Sequence, residues 1–311
     1  MRRLLEYALY RSLATLVRIL PRAAVVWLGR RLGMAFYLVD ARGRNTGREN
    51  LARALPERTD HRALLIESYR LQAVALLDAA WSTRLSIEQA NHYVDVAPKI
   101  AERINAPGRE GKGIVVATAH FGSWEMFNLA GGAMHLPRAT VIARPIRNAL
   151  IDRHMTRMRE RTGNRIVYRE EAIGACLSAL RRGEAVCSVI DMAILPAEGG
   201  LFVDFLGTPA STSGALPMLA LKRGAPLFFI VCRPIEKGAR YVFEMSEIEA
   251  EPRDGREADL LRVTRNLNRA LEEMVREHPE AWIWSYKRWK YRPGEQPGPY
   301  PSYALWVHPH W

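Results

Sequence analysis

Residues 113–125 read GIVVATAHFGSWE and contain the clearest indication of the fold in the sequence. Its first seven residues form a short apolar run rich in β-branched side chains, which is typical of a buried strand. Gly122 then lets the chain turn, and Ser123 is a suitable N-cap for a following helix. The stretch therefore predicts a buried strand that leads directly into a helix.

The same alternation of strands and helices extends along most of the chain. Helices are predicted at residues 60–84, 97–103, 123–135, 148–162, 170–182, 212–223 and 256–277, and further strands at 140–144, 185–190, 226–232 and 240–246. Strands separated by helices of this length predict an α/β fold, with a mostly parallel central sheet that is flanked by helices on both faces. The chain divides into N-terminal amphipathic helices, a main domain and a Pro-rich irregular tail, at residues 1–39, 40–292 and 293–311.

The composition excludes several classes of protein. The chain has 311 residues, of which 48% are hydrophobic, and its formal net charge is +12 with a pI of about 9.9. It can bury a large core, so it is neither a disordered chain nor a small disulfide scaffold. Its three cysteines contain no Cys-x-x-Cys pair and its histidines show no ligand spacing, so we expect free thiols in a reducing cytoplasm and no metal site.

The positive charge is concentrated at the N-terminus. Residues 1–50 contain ten arginines and three acidic residues, a net of +7. Leucines recur there at helical spacing and share one face of a helix, at Leu5, Leu9, Leu13, Leu16 and Leu20. Uncharged runs in residues 1–39 reach only eight residues, whereas a membrane-spanning helix needs about 20. The arginines also interrupt any signal-peptide core.

Two interpretations of this basic amphipathic segment remain open. Its leucine face suits the interface of an anionic membrane, where arginines contact headgroups and leucines enter the acyl boundary. The same face equally suits packing on the protein's own core. Nucleic acid is not an expected partner, because the sequence contains no recognisable nucleic-acid-binding motif.

The candidate chemistry follows the strand of residues 113–119. His120 leaves its carboxyl end, where open α/β sheets place their ligands. Glu125 falls in the first turn of the next helix, from which it can reach back toward the imidazole. A carboxylate that fixes the tautomer of a histidine makes it a general base, so the pair is a candidate catalytic dyad. The alternatives are a structural histidine and a surface glutamate. Ser123 is interpreted as a helix cap, since a Gly-x-Ser-x-Gly motif is absent.

Six segments together resemble the late acyltransferases of lipid A biosynthesis, within the broader lysophospholipid and glycerolipid acyltransferase group. They are the arginine-rich and Leu-Pro-Glu segment at 44–57, His120-x-x-x-x-Glu125, Arg144-Pro145 with 148–152, Arg161 before Gly163, 205–210, and 278–290. These segments occur in the family's order along nearly the whole chain.

The resemblance implies an O-acyltransferase that moves a fatty acyl chain from an acyl thioester to a hydroxyl of a membrane glycolipid. The donor would be acyl carrier protein or acyl-CoA, and no cofactor is expected. His120 resembles the general base and Glu125 its orienting partner, whereas Arg144, Arg161 and Asp191 resemble substrate-binding residues. Arginine has the donor geometry to hold phosphate or a charged carbonyl oxygen. A structural ion pair and a solvated helix face are the alternatives for Arg144 and Arg161.

The implied setting is the cytoplasmic face of the bacterial inner membrane, with the protein a peripheral or monotopic monomer bound to anionic lipid. Two departures concern the acceptor. Asp191 is followed by Met192 rather than a polar residue, and Ala149 replaces the family's usual proline after Asn148. A lipid A precursor is the expected acceptor; a phosphatidylinositol mannoside is an alternative, as is a catalytically inactive, lipid-binding relative.

Overall fold

The computed structural model describes residues 1–295 and 298–307. Its α-helices are α1 (Arg2–Ile19), α2 (Arg22–Val39), α3 (Ala41–Ala54), α4 (His61–Trp81), α5 (Pro98–Arg109), α6 (Trp124–Ala133), α7 (Ala149–Glu160), α8 (Ala172–Arg181), α9 (Ala215–Arg223) and α10 (Arg256–Glu277). Its strands are β1 (Val94–Asp95), β2 (Ile114–Thr118), β3 (Ala139–Ala143), β4 (Arg165–Tyr168), β5 (Ala185–Val189), β6 (Gly200–Phe205), β7 (Thr208–Ser213), β8 (Leu227–Ile235), β9 (Arg240–Ile248), β10 (Tyr291–Arg292) and β11 (Leu305–Trp306).

A seven-stranded sheet with the order β1-β9-β8-β2-β5-β3-β4 forms the centre of the described part of the chain. All neighbouring strands are parallel except β8 and β9, which form an antiparallel pair. Strand β2 lies in the middle, and its side chains alternate between two hydrophobic clusters, one on each face of the sheet. Such a strand, buried on both faces, reads as the continuous apolar run seen in the sequence.

The predicted α/β class, with its mostly parallel sheet, is confirmed. The predicted helices and strands agree with the observed ones within three residues at each end, except that α5 extends six residues beyond its predicted end. Sequence analysis did not predict α3, β1, β4, the β6–β7 hairpin or the β10–β11 pair. Strand β4 has four residues and lies at the edge of the sheet, where one partner suffices and a long apolar run is not required.

The two N-terminal helices differ in how they contact the rest of the protein. Helix α2 packs closely on α4, since a Cβ at Gly29 would lie 2.8 Å from Val74 and a Cβ at Gly33 would lie 2.5 Å from the backbone of Arg70. Helix α1 buries Val17 but leaves its leucine face outward. Four of those leucines are 54–65% exposed, namely Leu5, Leu9, Leu13 and Leu16. Packing on the protein's own core thus explains α2 and not the leucine face of α1.

No helix among residues 1–295 and 298–307 has the length and hydropathy needed to cross a membrane. This finding agrees with the short uncharged runs of the N-terminal segment.

The segment at 279–289, which follows α10, lies at the carboxyl edge of the central sheet, where Trp282 forms a bridge with Phe121. Trp282, Trp284 and Trp289 are fully buried and belong to the hydrophobic core. Within the tail predicted to be irregular, Leu305–Trp306 pairs in parallel with Tyr291–Arg292. Residues 296–297 and 308–311 of that predicted tail lie outside the described residues.

Candidate active site

The sheet order brings His120 and Asp191 together. Strands β2 and β5 are parallel neighbours, and Thr118 is paired with Val189 at their carboxyl ends. His120 and Asp191 each follow two residues after these partners, so they meet at the same edge of the sheet. Helices α6 and α9, which follow the two strands, pack in the hydrophobic clusters of opposite faces, as is typical of a ligand-binding switch point in an open α/β sheet.

Asp191 fixes the orientation of the His120 ring. Its Oδ1 accepts a hydrogen bond from His120 Nδ1 at 2.9 Å, and its Oδ2 accepts from the His120 backbone N–H at 2.8 Å. Trp282 Nε1 also donates to Oδ2, at 3.1 Å. A charged carboxylate only accepts hydrogen bonds, so the proton is on Nδ1 and Nε2 is left with a free lone pair. This is the arrangement of a general base.

The electrostatics favour a charged carboxylate beside a basic imidazole. Burial by itself would lower the pKa of His120, but the charge and the hydrogen bond of Asp191 raise it above its ordinary value. Burial would likewise raise the pKa of Asp191, but the interactions with His120 and Trp282 lower it below its ordinary value. His120 therefore accepts a proton more readily than an unpaired buried histidine would.

The predicted orienting contact of Glu125 with His120 is wrong. Glu125 is buried, and its Oε1 accepts hydrogen bonds from Arg159 Nη2 at 2.6 Å and Arg159 Nε at 3.0 Å. Trp124 Nε1 donates to the same oxygen, at 3.0 Å. Glu125 still lines the cavity that His120 enters, so the two residues share the site without forming a hydrogen-bonded dyad.

The pH dependence of turnover distinguishes the two carboxylates. Because Asp191 raises the pKa of His120, Asp191→Asn should move the acidic midpoint of the kcat/KM profile to lower pH, since His120 then loses its proton more readily. Glu125→Gln should lower turnover by disturbing Arg159 while leaving this midpoint in place. The pH profiles of the two isosteric variants are the measurement. An equal shift in both variants would restore Glu125 as the partner of His120.

The structure separates the two arginines of the sequence prediction. Arg144 is exposed and lines the cavity, where it can meet an anionic substrate. Arg161 donates instead to the backbone carbonyls of Ser82 at 2.7 Å and Thr83 at 3.2 Å, and so anchors the turn after α4. Arg159, which no sequence pattern distinguishes from the arginines around it, is the arginine that forms an ion pair with Glu125. The position of an arginine along a helix defines which other residues share its face, but the partner of that face is known only once the helix has packed against the protein.

A cavity of about 640 Å³ opens beside His120. Side chains of β2, β3 and β5 form its floor and α6 covers it, so its walls are mostly apolar. It also reaches the opposite face of the sheet at Ile142 and Ser188. There the paired register of β3 with β5 ends at Val141 and Cys187, and the two strands separate. The site therefore places His120, oriented by Asp191, at the polar end of a hydrocarbon-lined space.

The neighbouring hydroxyl and thiols are poor candidates for a nucleophile. Ser123 is buried and caps α6 by accepting from the Met126 backbone N–H, as predicted. Burial raises the pKa of Cys187, which lines the cavity, to about 12, and that of Cys176 to about 11. A thiol must lose its proton to attack, so these cysteines act as small apolar core residues.

The family model described as "Bacterial lipid A biosynthesis acyltransferase" matches residues 1–291. The chain belongs to this family. It is therefore an acyltransferase, and the resemblance predicted from the sequence segments is confirmed.

Individual relatives are similar at low identity over most of their length. The lipid A biosynthesis palmitoleoyltransferase of Escherichia coli K12 is 24% identical over 278 residues, 88% of this chain and 87% of the relative. The lauroyltransferase of the same organism is 26% identical over 284 residues, 90% of each chain. A lipid A biosynthesis acyltransferase of Haemophilus influenzae is 29% identical over 186 residues, 59% of this chain and 55% of the relative.

Segments that resemble the family but lie far apart in the sequence contact each other in the fold. Asn50, in the segment at 44–57, is fully buried and donates to the carbonyls of Trp284 and Tyr286, both at 2.8 Å. The Tyr286 hydroxyl in turn accepts a hydrogen bond from the Ala193 backbone N–H at 3.0 Å, in the loop after Asp191. The N-terminal and C-terminal segments thus jointly support the loop that carries Asp191.

Proposed function

We propose that this acyltransferase moves a fatty acyl chain from an acyl thioester, carried by acyl carrier protein, to a hydroxyl of a lipid A precursor. The observation that carries the proposal is His120, oriented by Asp191, at the polar end of a mostly apolar cavity. The family and the names of its relatives, which are lipid A biosynthesis acyltransferases, support a lipid A precursor as the acceptor. No cofactor takes part, because the thioester is itself the activated acyl donor.

The reaction follows from this geometry. Nε2 of His120 takes the proton from the acceptor hydroxyl, and that oxygen attacks the thioester carbonyl carbon. A C–O bond forms, the C–S bond breaks, and the thiolate leaves with the proton that His120 returns. Direct transfer of this kind needs both substrates in the site at once, which agrees with the buried, poorly ionised thiol of Cys187 beside it.

Cationic residues near the cavity suit the charges of the substrates. Arg144 is exposed at the cavity, where its guanidinium can hold a phosphate of the glycolipid. Arg159 lies deeper, with its side chain 25% exposed and paired with Glu125, and can support charge that develops on the carbonyl oxygen. Arg161 takes no part in this proposal, because it anchors a turn.

Mass spectrometry of membrane glycolipids tests the function. Membranes from cells with and without the protein are compared, and membranes with the His120→Ala variant serve as the matched control. A mass gain of one acyl chain, seen with the wild type and lost with the variant, is the expected result. The mass and fragmentation of the product also distinguish a lipid A precursor from a phosphatidylinositol mannoside. An unchanged glycolipid profile would contradict the proposal and favour a lipid-binding relative without activity.

The exposed leucine face supports peripheral attachment to the cytoplasmic face of the inner membrane. The residues of α1 that contact the protein include Tyr10 and Val17, which lie about 100° around the helix from the middle of the leucine face. Trp27 and Phe36 of α2 are exposed as well. An apolar surface of this kind on a basic segment suits the headgroup region of an anionic bilayer.

Charge and leucine burial make separable contributions to membrane binding. Leu9→Glu combined with Leu13→Glu should weaken binding to anionic vesicles by about 10-fold or more per leucine, because burying each one is worth about 1.5–3 kcal/mol. The control is Ala8→Glu combined with Thr15→Glu, which adds the same charge at exposed positions outside the leucine face. Vesicle co-sedimentation at low and high salt is the measurement.

High salt should weaken binding of the wild type without abolishing it, because the leucine face is insensitive to ionic strength. Equal loss in the leucine and control variants would show that only charge holds the helix to the vesicle. Substitutions are preferable to deletion of residues 1–39, since deletion would also remove the buried face of α2.

A further inference from the structure

The cavity has a deep end, away from His120. Strand β2 runs antiparallel to α6, and both line the cavity along their length, from Thr118 and Glu125 near His120 to Ile114 and Gly131 at the far end. His120 follows Ile114 by six positions, which corresponds to at most about 20 Å at 3.3 Å per residue of extended chain. This depth is comparable with an extended fatty acyl chain. Apolar groups that include Leu136 and Pro137 line the far end.

Gly131 lies at this far end with open space above it. A Cβ built at Gly131 has one heavy-atom neighbour within 4 Å outside its own helix, Leu136 Cδ1 at 3.7 Å, which is ordinary contact. The Leu136 backbone N–H donates to the Gly131 carbonyl at 3.0 Å, which holds the Leu136 side chain beside this space. A Cβ at position 131 is therefore accommodated in ordinary contact, and a larger side chain there would extend into the cavity that Gly131 lines.

Neither backbone conformation nor packing requires a glycine at position 131. Its φ is not positive, unlike that of Gly122, and glycine in a helix interior costs about 0.5–1 kcal/mol relative to alanine. The adjacent Gly132 differs, because its Cβ would lie 3.2 Å from Thr162 and 3.3 Å from Ile87. Close packing explains Gly132, whereas Gly131 leaves volume open in the cavity.

We propose that Gly131, together with Leu136, determines the length of the acyl chain that the enzyme accepts. The chain enters past His120 with its thioester at the polar end, and its methyl end reaches the space between Gly131 and Leu136. Filling that space excludes the terminal methylenes of the longest chain. The choice of a fatty acyl chain as the substrate rests on the proposed function. The choice of Gly131 and Leu136 rests on the shape of the cavity.

Competition between donors tests the proposal. The full-length protein receives an equimolar mixture of saturated acyl thioesters of increasing chain length, and mass spectrometry measures the ratio of the products. Gly131→Leu should shift the preferred length to shorter chains, with a loss of about fourfold for each excluded methylene. Leu136→Ala should shift it to longer chains. Gly174→Leu is the matched control, because Gly174 is an exposed helical glycine outside the cavity with open space around it.

A second readout separates failure of this inference from failure of the proposed function. Unbranched fatty acids of increasing length are added to each purified variant, and the change in melting temperature reports binding without turnover. A shifted optimum in Gly131→Leu supports the assignment even if the wild type transfers no acyl chain. If Gly131→Leu does not fold, Gly131→Ala replaces it. Alanine favours the helix, and we expect it to give a smaller shift in the same direction. Identical length profiles in the wild type and the Gly131 variants would overturn the proposal.

Discussion

His120→Ala should lower acyl transfer by about 10²–10⁴-fold, the usual contribution of a general base. The half-buried ring of His120 contacts Asp191 through Nδ1, and the His120 backbone N–H donates to the same carboxylate. Removing the ring therefore takes one hydrogen bond from Asp191 and leaves the bond from the backbone in place. Turnover under saturating donor and acceptor is the measurement, and circular dichroism checks the fold. Wild-type turnover by a folded His120→Ala protein would eliminate His120 as the base.

Asp191→Asn should reduce turnover by a comparable factor, because the two side chains act as a unit. The amide can still occupy the place of the carboxylate, but it lacks the charge that raises the pKa of His120. Combining the two substitutions should cost little more than either one. Additive losses in the double variant would show that His120 and Asp191 act independently.

Arg22→Met should destabilise the fold by about 3–5 kcal/mol, because it leaves a buried carboxylate without its cation. Asp78 is fully buried, and it forms an ion pair with Arg22 and accepts a hydrogen bond from Tyr241. Arg22 also donates to the Ala239 carbonyl at 2.9 Å, so this network joins α2 to α4 and to the start of β9. Denaturant unfolding followed by tryptophan fluorescence measures the loss.

Arg103→Met is the matched control for this stability prediction. Arg103 forms an exposed ion pair with Glu247 at 2.7 Å, and pairs of that kind contribute about 0–1 kcal/mol. The loss caused by Arg22→Met should also shrink at acidic pH. Burial already raises the pKa of Asp78, and without Arg22 the carboxyl takes up a proton more readily and is buried at lower cost. Similar losses in both variants would contradict a stabilising role for the buried pair.

Local pattern determined most of the elements of this acyltransferase. The apolar run before His120 predicted β2, and helical spacing predicted the leucine face of α1, because both depend on periods within one segment. The position of His120 at a strand end followed from the same pattern. The short edge strand β4 and the β6–β7 hairpin were missed, since neither needs a long apolar run.

Only the tertiary structure decided which residues meet at the site. Strand order depends on packing between segments far apart in sequence, and it placed β5 beside β2, so that Asp191 became the partner of His120. Glu125 lies five residues from His120, yet the docking of α6 against α7 paired it with Arg159. The sequence also did not show whether the leucine face of α1 is exposed or buried. In the structure it is exposed, because α1 packs on the protein through Val17 on another side of the helix. Sequence periodicity defines the faces of an element, but the contacts of each face are set by the free energy of packing the whole chain.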